Sequence, residues 1–541
     1  MTVHPLAEAP ITLVRARRIR SLTDPEPEAL AIAGERIVDA GGWDTLRGRF
    51  PRARQVDFGP ATMVPGLNDA HAHPSLHTSE DLYVDLAPDR TPSATAVREA
   101  LAGLAARTPA GEWVVGHNFD LSRTEGGDRI DRALLDEVSR HHPVLVIHYS
   151  YHAAVANSAA LRAGGYGDDS ADPVGGRLGR DAAGRLDGVV HERAWMEAYL
   201  GHGGRKALVP QPDLDTRVAA LVRTLRRFNA AGVTSVCDAM VHPQDWRVYQ
   251  EARRRGLLTA RVGMLLWYEF FRHAAELGMC TGLGDEWLRF TGVKMMTDGA
   301  SSGGTCLCTA AGRGIQLMPD EEIERTVREV HAAGSTVAVH ANGDIAVGKV
   351  LAAIESAQHV VPGTRRHRIE HCSMADAATA RRLRAAGVVP VPFGAFVHYH
   401  GHNFIAHYGK ETAATMCPHR TFLAAGLTVP GSSDYPCGPL EPLLALRSMT
   451  TRQAQDGTVL GADERLSATE ALHAYTVGSA YASGEEAVKG RLAPGMLADF
   501  VVLEQDPLTA EPARLDALRP LATWVGGQQV WAADEQQGEP S

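Results

Sequence analysis

The sequence reads as an α/β protein: a (β/α)8 TIM barrel, a small composite β-sandwich built from both chain ends, and a large insertion after the first barrel strand. Three observations lead there. Apolar strand-like runs alternate with amphipathic helices through most of the chain, as in parallel sheets with crossover helices. The candidate strands 63–69, 232–238, 260–267, 290–296, 335–340, 367–371, 387–393 and 427–432 number eight, the count that closes such a barrel. Short β-like runs punctuated by turns are concentrated at the two ends.

At the N-terminus, Ile11-Thr-Leu-Val, Ala29-Leu-Ala-Ile-Ala33, Arg36-Ile-Val-Asp and Gln55-Val-Asp-Phe alternate with turns. The C-terminal runs 498–503, 522–525 and 529–531 resume that style. Neither end has enough strands to close a sandwich alone, so residues 1–63 and 486–541 are expected to meet in one β domain around a barrel of 64–485. Around the fifth strand, Ile323, Val327 and Val330 recur at helical spacing, predicting a helix over 321–333 that Gly334 stops. Residues from about 76 to 212 separate the first strand from its helix at 213–231. That is too long for a plain loop, and it predicts a subdomain over the barrel mouth that builds the substrate pocket.

The 541 residues, 44% hydrophobic and 22% charged, suit a globular enzyme. The net charge of −10 and the lack of a long basic run argue against nucleic acid as a partner. No apolar run is long enough for a membrane span, and no secretory signal is visible. Seven scattered cysteines fit a reducing cytoplasm better than a disulfide framework. A small-molecule substrate is the expected partner; a homodimer is compatible with the sequence, which leaves assembly open.

Active sites of such barrels lie at the C-terminal ends of the strands. There stand His71 and His73 (strand one), Lys294 (four), His340 (five), His371 (six) and Asp434 (eight). In a strand, residues two apart point the same way, so His71 and His73 reach one ion. Four imidazoles and a carboxylate suit a divalent metal, zinc first, as one or two ions. Lys294 is the anomaly: as a ligand it requires carbamylation by carbon dioxide, and it would then bridge two ions. A single ion beside a Lys294 ammonium is the alternative.

The order His-x-His, Lys, His, His, Asp resembles the amidohydrolase superfamily. Its flanking phrases resemble the amidohydrolase 3, or YtcJ-like, branch that includes N-substituted formamide deformylases. They include Val64-Pro-Gly-Leu-Asn-Asp-Ala-His-Ala-His73, His152-Ala-Ala-Val-Ala-Asn-Ser158, Gly292-Val-Lys-Met-Met-Thr-Asp-Gly299, Val339-His-Ala-Asn-Gly-Asp344, Arg368-Ile-Glu-His371 and Gly431-Ser-Ser-Asp434. The resemblance implies that His71 and His73 bind the more buried metal and that His340 and His371 bind the second. Carbamylated Lys294 would bridge them, and Asp434 would ligate and shuttle protons. Two departures stand out: Tyr151-His-Ala-Ala-Val155 replaces the usual Gly-His-Ala-Ala-Trp, and histidines 398, 400, 402 and 407 crowd one segment.

The expected function is cleavage of a C–N amide-type bond in an N-acyl or N-formyl amine. A metal-activated hydroxide attacks, and Asp434 acts as base and then acid. Deamination, isomerisation or decarboxylation on the same site is the alternative reaction, and a non-catalytic barrel scaffold the alternative class. Substrate-binding candidates are His152, Asp298, Arg420 and His402. For His152 a structural role is equally open, for Asp298 orienting a ligand or capping a helix, for Arg420 an ordinary salt bridge, and for His402 plain surface or core placement. Cys306 and Cys308 are expected to line the pocket.

Overall fold

A computed structural model describes residues 10–310, 312, 314–363 and 365–533. Strands β1 (Leu67–Ala72), β2 (Val233–Val241), β3 (Arg261–Trp267), β4 (Leu288–Met296), β5 (Val337–Ala341), β6 (Arg368–His371) and β7 (Val389–Val391) form one parallel sheet in that order. Crossover helices cover its outer face. The helix expected at 321–333 runs Asp320–Ala332, and its buried Ile323, Val327 and Val330 pack with Val337 and Val339 of β5.

Two strand expectations need correction. The first expected strand is two: Thr62–Pro65 belongs to another sheet, and β1 begins at Leu67 after a turn at Gly66. A Cβ at Gly66 would lie 2.1 Å from Thr234 Oγ1, so only glycine lets the chain cross so close to β2. The expected eighth strand, 427–432, forms no ladder. An extended stretch fills the gap instead. Ala70 N–H donates to Gly431 O (3.1 Å), Asp434 N–H to His71 O (2.9 Å) and Gly394 N–H to Ser432 O (3.2 Å). Pro430 has no N–H, and the Gly431 N–H turns away to Ala474 O, so a regular ladder cannot run through here.

Between β1 and β2 the chain builds a separate six-stranded sheet, ordered Gly176–Arg180, Leu186–Glu192, Ala153–Ala156, Val144–His148, Val114–Phe119, Val84–Asp85. Helix Leu214–Ala230, capped by Asp213, then leads back to the barrel. Tyr151, Trp195 and Tyr199 of the inserted region share a core with Met240, Trp267 and Met296 near the C-terminal ends of β2, β3 and β4. That contact seats the insertion over the barrel mouth.

Both chain ends contribute to a five-stranded sheet: Arg18–Ile19, Thr62–Pro65, Phe500–Leu503, Pro520–Val525 and Gln528–Ala532. A four-stranded sheet from residues 11–57 packs on it through Val14, Leu30 and Ile32 against Met63, Phe500 and Trp524. Buried Arg261 of β3 grips Asp499 through two hydrogen bonds, of 2.7 and 3.0 Å, and ties the barrel to the C-terminal strands. Among the described residues, no helix is long and apolar enough to cross a membrane. Removing one partner of a buried ion pair strands the other charge, so Asp499→Ala should cost about 3–5 kcal/mol, read from urea unfolding curves. Unchanged stability would mean that the pair holds nothing together.

Candidate metal centre

β1 carries His71 to the C-terminal rim and His73 follows its last residue, the two rings 5.2 Å apart, centroid to centroid. Between them lies Asp434, whose Oδ1 is 3.3 Å from Nε2 of each. The other ring nitrogen of His71, Nδ1, is held by Glu370 Oε2. Glu370 is in turn clamped by Arg368 Nε (2.7 Å) and Nη2 (2.8 Å). Burial opposes the charge on Glu370, yet the Arg368 guanidinium and the His71 ring hold its carboxyl well below the usual range. His71 is thus fixed with Nε2 aimed at Asp434.

His371 ends β6. Strand alternation would turn Glu370 and His371 to opposite sides, but His371 adopts a left-handed backbone (φ 66°) that brings its ring over the rim. There it lies 5.6 Å from the His71 ring and 4.2 Å from the His340 ring, centroid to centroid. His340 Nε2 is engaged by Asn342 Nδ2 (3.1 Å) and Gly299 O (3.4 Å). Burial, then neighbouring positive groups, pushes His340 and His371 well below the ordinary histidine range, so both stay neutral, the form that binds metal. Asp434 is held well below the usual carboxylate range despite its burial, by the flanking His71 and His73 rings 3.3 Å from its Oδ1.

Lys294 of β4 is fully buried, and burial lowers its amine to about 8 against the opposing pull of Glu370 and Asp434. The ligand atoms of His71, His371 and Asp434 lie within 4.8 Å of one another. His71 Nε2, His73 Nδ1 and His371 Nδ1 are buried without a hydrogen-bond partner. Orphaned buried polar atoms of this kind are costly. Two imidazoles with unpartnered ring nitrogens, His71 and His371, gathered on an ionised carboxylate fit a first-row divalent cation.

Residues 55–531 match the profile of the amidohydrolase family. The chain belongs to the amidohydrolase family. Its sequence is 29% identical to the YtcJ protein of Bacillus subtilis (strain 168), over 93% of this chain and 96% of that one. It is also 29% identical to an N-substituted formamide deformylase of Arthrobacter pascens, over 92% of this chain and 94% of that one. In structure it is similar to an uncharacterized metal-dependent hydrolase from Pyrococcus horikoshii OT3, with a TM-score of 0.74 at 23% identity, covering 93% and 99% of the two chains. At that identity the structural likeness speaks for the fold.

Two cavities open beside the centre of this amidohydrolase. The inner one, of about 20 Å³, is lined by Asp434, His371, Asn342, His400, Phe396 and His152, among others. The outer one, of about 210 Å³, has mostly apolar walls, among them Phe119, Leu121, Tyr149, Val155 and Val189. His152, Ser150, Ala300 and Ser302 border both. Val155 lines the outer cavity, where a larger side chain would take up part of its volume. Tyr151 takes a left-handed backbone (φ 56°), the conformation that glycine adopts without strain.

Of the substrate-binding candidates, only His152 borders these cavities. Asp298 is fully buried and lines neither, accepting backbone N–H groups of Asn342 (2.9 Å), Gly343 (3.0 Å) and Leu307 (2.9 Å), with its Oδ1 3.5 Å from His340 Nε2. Arg420 is committed to Glu470 (2.6 and 2.7 Å) and to the Arg465 carbonyl, an ordinary salt bridge. His402 is half-buried and lines neither cavity; on the same helix, one turn of geometry selects His400 for the inner cavity and His407 for the outer. Cys306 and Cys308 sit in the core around Phe393 and Phe404 and not in a pocket wall. Sequence reasoning missed Glu370, Arg368 and Asp69. The phrase Arg368-Ile-Glu370 did carry a signal, since residues two apart on a strand share a side, here the barrel interior.

Partners behind a metal-binding histidine tune its affinity. Glu370→Gln should weaken zinc binding about ten- to a hundredfold in chelator competition; unchanged affinity would remove Glu370 from the centre. Lys294 also makes a pH prediction. Its folded-state value of about 8 lies below the ordinary 10.5, so between those values the unfolded chain holds more protons and stability rises with pH. Metal-free protein should gain stability across that window relative to Lys294→Met, measured by denaturant unfolding; parallel curves would contradict the burial of a charged amine.

Proposed function

We propose that this amidohydrolase hydrolyses the C–N bond of an N-acyl or N-formyl amine with the aid of a divalent cation, zinc first. His71, His73, His340, His371 and Asp434 would hold it, and carbamylated Lys294 would join them where two ions are bound. The observation that carries the reading is the wedge of ionised Asp434 between two imidazoles, 3.3 Å from each, beside a small cavity. When bound, such a cation lowers the pKa of water toward about 7 and polarises a carbonyl.

The chain's own groups do the rest. Asp434 accepts a proton from the attacking water as its oxygen bonds to the acyl carbon. As the C–N bond breaks, Asp434 returns that proton to the nitrogen, releasing a carboxylic acid and an amine. An amide nitrogen leaves poorly unless protonated, so one carboxylate serving in turn as base and acid meets both needs. His152 meets the substrate at the junction of the two cavities. The inner space of about 20 Å³ limits the acyl side to a formyl or similarly small group. About 150 Å³ suffices for benzene, so the outer cavity of about 210 Å³ suits a ring-sized N-substituent.

Further support is chemical. Burial leaves part of the Lys294 amine unprotonated near its value of about 8, and the free amine is the form that adds to carbon dioxide. The Arthrobacter pascens relative is named for N-substituted formamides, the same bond type. Seven cysteines without a disulfide favour a reducing compartment, the cytoplasm.

The test is a panel of formamides, acetamides, ureas and lactams with zinc- or manganese-loaded protein, following amine release. Formamides should turn over. Asp434→Asn should cut kcat by about a thousandfold while the protein still takes up metal; surviving turnover would remove the proton-transfer role. Val155→Trp should raise KM for N-benzylformamide and spare N-methylformamide, whereas equal effects on both would place the substituent elsewhere.

A further inference from the structure

Glu192 ends the last strand of the inserted sheet, fully buried, with a left-handed φ of 53° and ψ of −125°. Such a backbone is strained in a residue other than glycine and persists only where the surroundings impose it. Here they do. Glu192 N–H donates to His152 O (2.8 Å), His152 Nδ1 meets Glu192 Oε2 (2.8 Å), and Thr305 Oγ1 donates to Glu192 Oε1 (3.2 Å). Thr305 belongs to the loop that follows β4, the strand of Lys294. In that loop a Cβ at Gly299 would lie 2.6 Å from Glu192 Oε1, so glycine is what lets the loop close on the carboxylate.

With Nδ1 taken, the His152 ring has one nitrogen left for a ligand. The ring lies 5.2 Å from that of His340, and His152 borders both cavities. We infer that Glu192 is a positioning residue that locks the His152 ring so that Nε2 meets the substrate amide where the inner and outer cavities join. Glu192 itself is sealed off from both cavities and acts through His152 alone. Strand 186–192 of the insertion thereby supplies part of the substrate site and does more than roof it. The inference rests on the amide-binding reading of the site, but not on turnover.

Calorimetric titration of metal-stripped protein with N-benzylformamide separates the two, because binding is read with no hydrolysis in play. Wild-type protein should bind the probe. His152→Ala and Glu192→Ala should each weaken binding about five- to tenfold, the worth of one hydrogen bond. The double variant should be no weaker than either single one, the mark of residues acting as a unit. Glu192→Gln, which still accepts from Nδ1–H, should stay within about twofold of wild type. If Glu192→Ala does not fold, as judged by near-UV circular dichroism, Glu192→Asp is read in its place, since the shorter side chain withdraws the acceptor. Additive losses in the double variant, an unchanged His152→Ala, or no binding by the wild type would each overturn the inference.

Discussion

The centre depends on one buried ion pair. Arg368 and Glu370 sit inside the barrel on the same side of β6, each charge tolerable there only because of the other. From that clamp Glu370 reaches His71 and sets which ring nitrogen faces the rim. Two other buried carboxylates play comparable parts. Asp69 accepts Ser433 Oγ–H (2.5 Å) and Ser433 N–H (3.1 Å), anchoring the loop that carries Asp434 to the strand that carries His71. Asp298 gathers three backbone N–H groups around the end of β5 and so holds the turn after His340. The segments that carry His71, His340 and Asp434 are thus each fixed by a buried acid that lines neither cavity.

Division of labour follows from this frame. Barrel strands end in the donor atoms, and the insertion supplies most of the outer cavity wall together with His152 and Glu192. On the proposed reading, reaction chemistry and substrate preference therefore sit on different parts of the chain. A substitution at Val155 would reshape the outer cavity without touching the ligand residues.

Much of the centre was legible because its signals are local. His71-x-His73 announces itself through the two-residue strand period, and Lys294, His340 and His371 stand at or beside the ends of apolar runs. What escaped depends on contacts that no spacing encodes. The left-handed turn at His371 reverses the side predicted by alternation. Gly66 divides one apolar run between two sheets because Thr234, far along the chain, leaves no room for a side chain. Pro430 breaks a ladder that hydropathy alone would continue. Arg420 finds Glu470, fifty residues on, and His400 rather than His402 faces the cavity because the helix phase decides it. Glu192 carried no signal, since its partner His152 lies forty residues away, just before another strand of the insertion.

Anomalous diffraction at the zinc edge from crystals grown with saturating zinc tests the central claim most directly. The account predicts a strong peak within bonding distance of His71 Nε2 and an Asp434 carboxylate oxygen, with His371 facing it. A rim without anomalous density, or density confined to surface histidines, would contradict it.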